Sequence, residues 1–155
     1  MTSTKKRGTA SGPDDFVVQL ERATRGLLAL NVSVLEHMEK KIGLAPLRAL
    51  QSLERLGPSL VTELGADLDL LPSTASRLSD RLAEAGYITR RVSPTNRRAT
   101  VLELTDTGRA ILAELIDVRI QAFGAVVERM SESDRAALIR GAQAFTDASR
   151  VVAAD

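Results

Sequence analysis

A mainly α-helical chain with one small β-hairpin is the fold class this sequence predicts, and three observations predict it. Apolar residues recur at spacings of three and four over most of the chain, the period of helices that each bury one face. Two short stretches, 87–92 and 100–104, alternate as strands do. Arginines gather around those stretches: six lie between Arg77 and Arg98 against Asp80 and Glu84, a local +4 that leaves −3 for the rest of a chain of net charge +1.

Composition narrows the class. At 155 residues the chain supports one domain of ordinary size, able to bury a core without staples. It has no cysteine and a single histidine, His37, which excludes disulfides, thiolate metal sites and a multi-histidine zinc site within one chain. No apolar run approaches a bilayer span and none resembles a secretory signal, so a cytoplasmic protein without membrane contact is expected. With so small a net charge, where the charges sit matters more than their sum.

Residues 1–14 are polar, with Gly8, Gly12, Pro13 and the cluster Lys5-Lys6-Arg7. They read as a disordered arm whose lysines are a solvated terminus before they are a DNA contact. The spacing predicts a first helix over 15–42, presenting Phe16, Leu20, Ala23, Leu27, Leu30, Val34 and Met38. His37 falls on this stripe beside Glu36 and near Lys40 and Lys41, where a histidine satisfied at a helix interface is the simpler reading than a ligand or a switch. Gly43 ends this helix, Pro46 opens a second carrying Leu47, Leu50, Leu53 and Leu56, and Gly57-Pro58 stops it.

A third helix is expected over 61–68, with Leu64 and Leu68 inward, followed by a tight turn at Asp69-Leu70-Leu71. The next helix has Pro72 at its start and Gly86 at its end, the usual asymmetry. At 100° per residue, Leu71, Ala75, Leu78, Leu82 and Ala85 fall on one side, and Ser73, Ser76, Arg77 and Asp80 on the other. Leu71 takes the N-cap position, where the missing side-chain bond costs about 1 kcal/mol. Two short helices, a turn and an outward polar second helix make a helix-turn-helix.

After Gly86 the strands over 87–92 and 100–104 flank Ser93-Pro94-Thr95-Asn96-Arg97-Arg98, a hairpin with a basic tip of the kind called a wing. The chain then returns to helix. Ile111, Leu115, Val118, Ala122 and Val126 form one stripe, with Leu112, Ile116, Phe123, Val127 and Met130 beside it, so this helix has two sides to bury. Ser131-Glu132-Ser133-Asp134 starts a last helix presenting Leu138, Ala142, Phe145 and Val152. First and last helices with more apolar surface than a small winged domain can cover imply a homodimer. The expected organisation is an arm (1–14), a first helix of the dimerisation part (15–42), a winged helix-turn-helix (43–104) and C-terminal dimerisation helices (105–155).

Two motifs resemble those of the MarR family of transcriptional regulators, named for multiple antibiotic resistance, and the likeness covers roughly Asp15 to Ala148. The segment from Pro72 through Gly86-Tyr87-Ile88 is similar to that family's recognition helix and following strand. Asn96-Arg97-Arg98 through Leu104-Thr105 is similar to its wing pattern of Asp, any residue, Arg, five residues, then Leu-Thr. Asn96 stands where the family usually has Asp, whose charge would orient the wing arginine. Hydrogen bonds of a neutral amide are roughly half as strong, so a looser wing is expected. The resemblance implies a triangular dimer whose winged domains address successive turns of DNA. Many such proteins repress genes until a small molecule binds, in a pocket that the resemblance places near His37, Met38, Leu44, Arg48 and Leu112.

On this reading Ser73, Ser76, Arg77 and Asp80 enter the major groove, where an arginine fork pairs with guanine. Ser73 and Thr74 can also meet phosphate beside the helix start. Arg98, with Arg97 beside it, reaches a minor groove, and Arg90 and Arg91 follow the DNA backbone. Each has a plainer alternative as a solvated or ion-paired residue, and Asp80 stands at helical spacing to pair with Arg77 or Arg81. The partners expected are therefore double-stranded DNA, a second copy of the chain and a small-molecule effector, with no cofactor.

Catalysis finds little support. The sequence has no cysteine nucleophile, no glycine-rich phosphate loop and no second histidine, and His37 lacks an identifiable triad partner. The rival function is a winged-helix module used for protein contact without DNA binding, which the arginine-rich wing disfavours.

Overall fold

The computed structural model describes residues 13–152. Six helices and three short strands follow in the order α1 (Pro13–Ile42), α2 (Leu44–Leu56), β1 (Ser59–Leu60), α3 (Val61–Asp67), α4 (Pro72–Glu84), β2 (Ile88–Val92), β3 (Thr100–Leu104), α5 (Asp106–Val127) and α6 (Glu132–Val152). The fold class is the expected one, mainly α with a small β wing. Lys5-Lys6-Arg7 of the expected arm lie outside the described residues. No helix among the described residues is long and apolar enough to cross a membrane.

Two helix starts differ from expectation for one physical reason. α1 begins at Pro13, two residues early, and α2 begins at Leu44 with Pro46 in its third position. The first-turn amides of a helix have no intrahelical acceptor, so proline fits there without losing a bond. The hairpin gains a partner, because β1 pairs antiparallel with β3 (Ser59 opposite Leu102, Leu60 opposite Val101), giving the sheet order β1-β3-β2. A two-residue strand is too short to show alternation.

The core lies where α2, the helix-turn-helix, the sheet and the facing halves of α1 and α5 meet. Met38, Leu47, Leu50, Leu53, Leu64, Leu82 and Leu102 are among its fully enclosed members, with Val34, Leu78, Ile88, Ile111, Leu112 and Leu115 around them. Arg55 and Ser52 of α2 fasten α3 through one carboxylate. Arg55 Nη2 lies 2.7 and 2.6 Å from the two oxygens of Asp67, and Ser52 Oγ donates to it at 2.5 Å. These donors, the Arg55 bond foremost, hold the Asp67 carboxyl below its ordinary range, and the same bond raises Arg55. Lys41 of α1 pairs with Glu114 of α5.

On three helices the expected apolar stripes are covered only in part. On α1, Val34 and Met38 are buried, Leu20, Leu27 and Leu30 half-buried, and Phe16 and Ala23 exposed. His37 is exposed, not on the covered stripe, since one residue before Met38 it is turned 100° from the core direction. On α5, Ile111, Leu112 and Leu115 are buried, Val118, Ala122, Phe123 and Val127 half-buried, and Ile116 and Val126 exposed. α6 starts as expected, with Ser131 Oγ accepting the Asp134 N–H at 3.1 Å. Yet it buries none of its residues; Leu138 is half-covered and Phe145 is 62% exposed.

Candidate nucleic-acid interface

The helix-turn-helix turn is built around a close approach. Asp69 adopts a left-handed φ of 52° and Leu70 N–H reaches the Gly65 carbonyl at 2.8 Å, which folds α4 back over α3. A Cβ on Gly65 would stand 3.1 Å from Ala75 Cβ, so the absence of a side chain there sets how near the two helices pack. α4 starts without a side-chain cap: Leu71 has the extended backbone of an N-cap, and only its carbonyl serves the helix, accepting from Ala75 N–H at 3.0 Å.

α4 buries Ala75, Leu78, Ser79 and Leu82. Ser79 is satisfied inside by donating to the Ser76 carbonyl at 2.8 Å. Leu71 and Ala85, expected on the packed side, are exposed. They are the cap residues at either end, where the backbone has left the helical spiral or the core has been passed. The opposite face carries Ser73, Thr74 and Arg77 in the open and Ser76 and Asp80 half-buried. Arg81, which lies one turn beyond Arg77, shares this open side. It was not among the residues expected to meet DNA, although the i, i+4 spacing from Arg77 is the signal for it.

Gly86, at φ 77°, ends the helix in a Schellman-type turn, with Tyr87 N–H to the Leu82 carbonyl at 2.9 Å and Gly86 N–H to Ala83 at 3.0 Å. This aims the chain straight into β2. The hairpin then pairs in the register Ile88–Leu104, Arg90–Leu102 and Val92–Thr100. Its tip is closed by Ser93 N–H to Ala99 O and Ala99 N–H to Asn96 O, both at 2.9 Å. Ser93, buried at the base of the tip, exchanges a 3.1 Å hydroxyl contact with Thr95.

Asn96 works differently from expectation. Its side-chain carbonyl accepts the backbone N–H of Arg98 at 3.0 Å, not the guanidinium. The amide therefore shapes the turn, a task that needs an acceptor close to its own backbone but not a charge. Arg97 and Arg98 stand exposed at the tip.

The arginines divide into two groups. Arg90 pairs with Asp80 of α4, and Arg91 pairs with Glu103 of β3. The helical partners that spacing offers Asp80 as an alternative to DNA are not used: among the described residues Arg77 and Arg81 make no ion pair, and neither do Arg97 and Arg98. Four uncommitted guanidinium groups thus occupy the outer face of one helix and the tip of the adjoining wing.

The five residues expected around an effector do not share one environment. Met38 and Leu112 are enclosed in the core, whereas His37, Leu44 and Arg48 are exposed. Arg48 borders a cavity of about 40 Å³ with Ala45, Leu68, Leu70 and Leu78, between α2 and the helix-turn-helix turn.

The chain resembles known proteins over the same parts. Residues 44–100, from α2 to the start of β3, match the family model described as MarR family. It is 30% identical over 103 residues to the HTH-type transcriptional repressor MdtR of Bacillus subtilis, an alignment covering 65% of this chain and 66% of that protein. The crystal structure of RV1404 from Mycobacterium tuberculosis superposes with a TM-score of 0.69 at 30% identity over 91% of this chain and 96% of that one. The transcriptional regulator Tm0710 of Thermotoga maritima shares the fold at a TM-score of 0.78, with 22% identity over 88% and 98% of the two chains. With the family model spanning the helix-turn-helix and most of the wing, and likeness to solved structures running through the flanking helices as well, this chain belongs to the MarR family of transcriptional regulators.

Proposed function

We propose that the protein is a DNA-binding transcriptional regulator, acting as a homodimer on a near-palindromic operator, repressing, and released by a small-molecule effector. The observation that carries the DNA reading is the set of four unpaired arginines: Arg77 and Arg81 on the outer face of α4, Arg97 and Arg98 at the wing tip. Guanidinium groups already bound to carboxylates would have to be released before meeting phosphate; these do not. In this reading Arg77 and Arg81 lie over the major groove with Ser73, Thr74 and Ser76. Arg97 and Arg98 enter the flanking minor groove, whose narrow A·T tracts attract guanidinium.

The dimer reading rests on apolar surface left open by one chain: Phe16, Leu28 and Val32 on α1, Ile116 and Ile120 on α5, Ile139 and Phe145 on α6. Exposed apolar area of that extent is characteristic of a subunit interface. A two-fold dimer calls for half-sites about one helical turn, roughly 34 Å, apart. Repression follows the relatives MdtR and YetL of Bacillus subtilis, both named transcriptional repressors. The effector follows the family resemblance, with His37, Leu44 and Arg48 the accessible members of its expected pocket.

The test is binding of the purified protein to its own upstream promoter DNA across a salt series, with Arg98→Ala in parallel and the mass determined by sedimentation. Expected are a dimer and tight binding that weakens steeply with salt, with Arg98→Ala losing about tenfold or more, the worth of a good groove contact. A stable monomer at micromolar concentration would refute the dimer. Absence of binding at low salt, to the promoter and to random duplexes alike, would refute the DNA reading.

A further inference from the structure

Asp80 is the one carboxylate on the outer face of α4 between Arg77 and Arg81, and its choice of partner decides what those arginines can do. Helical spacing offers it Arg77 and Arg81; it takes Arg90. The sheet explains why. Along β2, Ile88 and Arg90 share one face, Thr89 and Arg91 the other. Ile88 is buried in the core, and Arg90 is half-covered opposite the fully buried Leu102. Arg90 therefore leaves the sheet on the side packed against α4, where its guanidinium meets Asp80. Arg91, on the far face, pairs within the sheet with Glu103, which lies opposite Thr89 in the ladder.

We propose that Asp80 and Arg90 form a positioning pair that locks the recognition helix to the wing strand, setting the offset between the two DNA-reading elements while leaving Arg77 and Arg81 unpaired. This rests on the DNA-binding reading and reassigns two residues within it. Asp80 does not read a base and Arg90 does not follow the DNA backbone. The lock matters because α4 and the hairpin are joined only through the Gly86 turn and the packing beneath, whereas their outer ends must enter two grooves in register. A small hinge error at the base is multiplied along the hairpin by the time it reaches Arg97 and Arg98.

The experiment is a double-mutant cycle on the full chain with Asp80→Asn, Arg90→Gln and the double variant, read out at 25 °C by operator affinity, salt slope and the preference for operator over random duplex. For a positioning pair each single change weakens operator binding on the order of five-fold per protomer, the upper range for a partly exposed ion pair, and lowers the preference for operator. The double variant loses no more than the worse single one. The salt slope of Arg90→Gln stays at the wild-type value, because the number of phosphates neutralised is unchanged. Additive losses, or a slope shallower by about 0.9 for each phosphate no longer neutralised, would make Arg90 a direct DNA ligand and overturn the proposal while the DNA-binding reading stands. A wild-type protein that binds no duplex at low salt would overturn both.

Discussion

Replacing Gly108 with alanine tests how tightly α5 is seated on the winged domain. Gly108 lies in the first turn of α5, and its N–H donates to the N-cap hydroxyl of Thr105 at 3.1 Å. That hydroxyl donates in turn to the Gly86 carbonyl at 2.6 Å, and the Thr105 N–H donates to the Tyr87 carbonyl at 3.0 Å. The start of α5 is thus bonded to the turn from which the wing departs. A Cβ on Gly108 would overlap the Tyr87 carbonyl oxygen and stand 3.1 Å from its carbon and 3.3 Å from Leu104 Cδ2. Backbone cannot rotate aside as a side chain can, and moving this carbonyl would strain its bond from Thr105. Overpacking of this kind costs about 3 kcal/mol, against about 1 kcal/mol gained from alanine's helix propensity. The net loss of about 2 kcal/mol lowers Tm by about 4 to 8 °C for a chain of this size. Thermal unfolding followed by circular dichroism reads this directly, with Gly26→Ala as the matched control, because a Cβ there meets no atom within 4 Å. Equal or higher Tm for Gly108→Ala would show that α5 slides off Tyr87 without cost, and the seating argument would fail.

Two further outcomes follow from the same reasoning. Leu71→Ser supplies the side-chain acceptor that α4 lacks, at a position 72% exposed with the extended backbone of an N-cap. It should raise stability by about 1 kcal/mol, whereas Leu71→Ala should not; equal melting of the two variants would refute the capping account. Asp67→Asn removes the charge that Arg55 and Ser52 stabilise. Because the folded-state pKa of Asp67 is depressed, its stabilisation is fully present above the ordinary carboxylate value of about 3.9 and is lost as pH falls through the lower folded value. Tm of the variant should therefore lie below wild type at pH 7, with the gap closing on acidification; a gap unchanged from pH 7 to pH 2 would exclude the charge as its source.

How much was legible depended on the range of the interaction. The helices showed in the spacing of Leu47, Leu50 and Leu53 or Ala75, Leu78 and Leu82, because a helix repeats every 3.6 residues wherever it is placed. The basic wing showed because two alternating runs bracket a turn-forming tip. The two-residue β1 did not, since its strand character exists only opposite Leu102 and Val101. That the first and last helices carry more apolar surface than one chain covers was legible, but which residues stay open, Phe16 and Phe145 among them, was not, because an apolar residue at core spacing reads the same whether its own chain covers it or not.

For the candidate interface the same division holds. By itself the sequence determined that an arginine-bearing helix runs into an arginine-tipped hairpin, since residue order and local periodicity suffice for that. Only the tertiary structure decided which arginines are spent and which are open. Asp80 had near neighbours at helical spacing, but packing of the sheet under α4 brought Arg90 to it. Asn96 was legible as an acceptor, yet the turn it sits in presented a backbone N–H before a guanidinium. Charge pairing is settled by distance in space, and for residues on different elements that distance comes into being only when the elements pack.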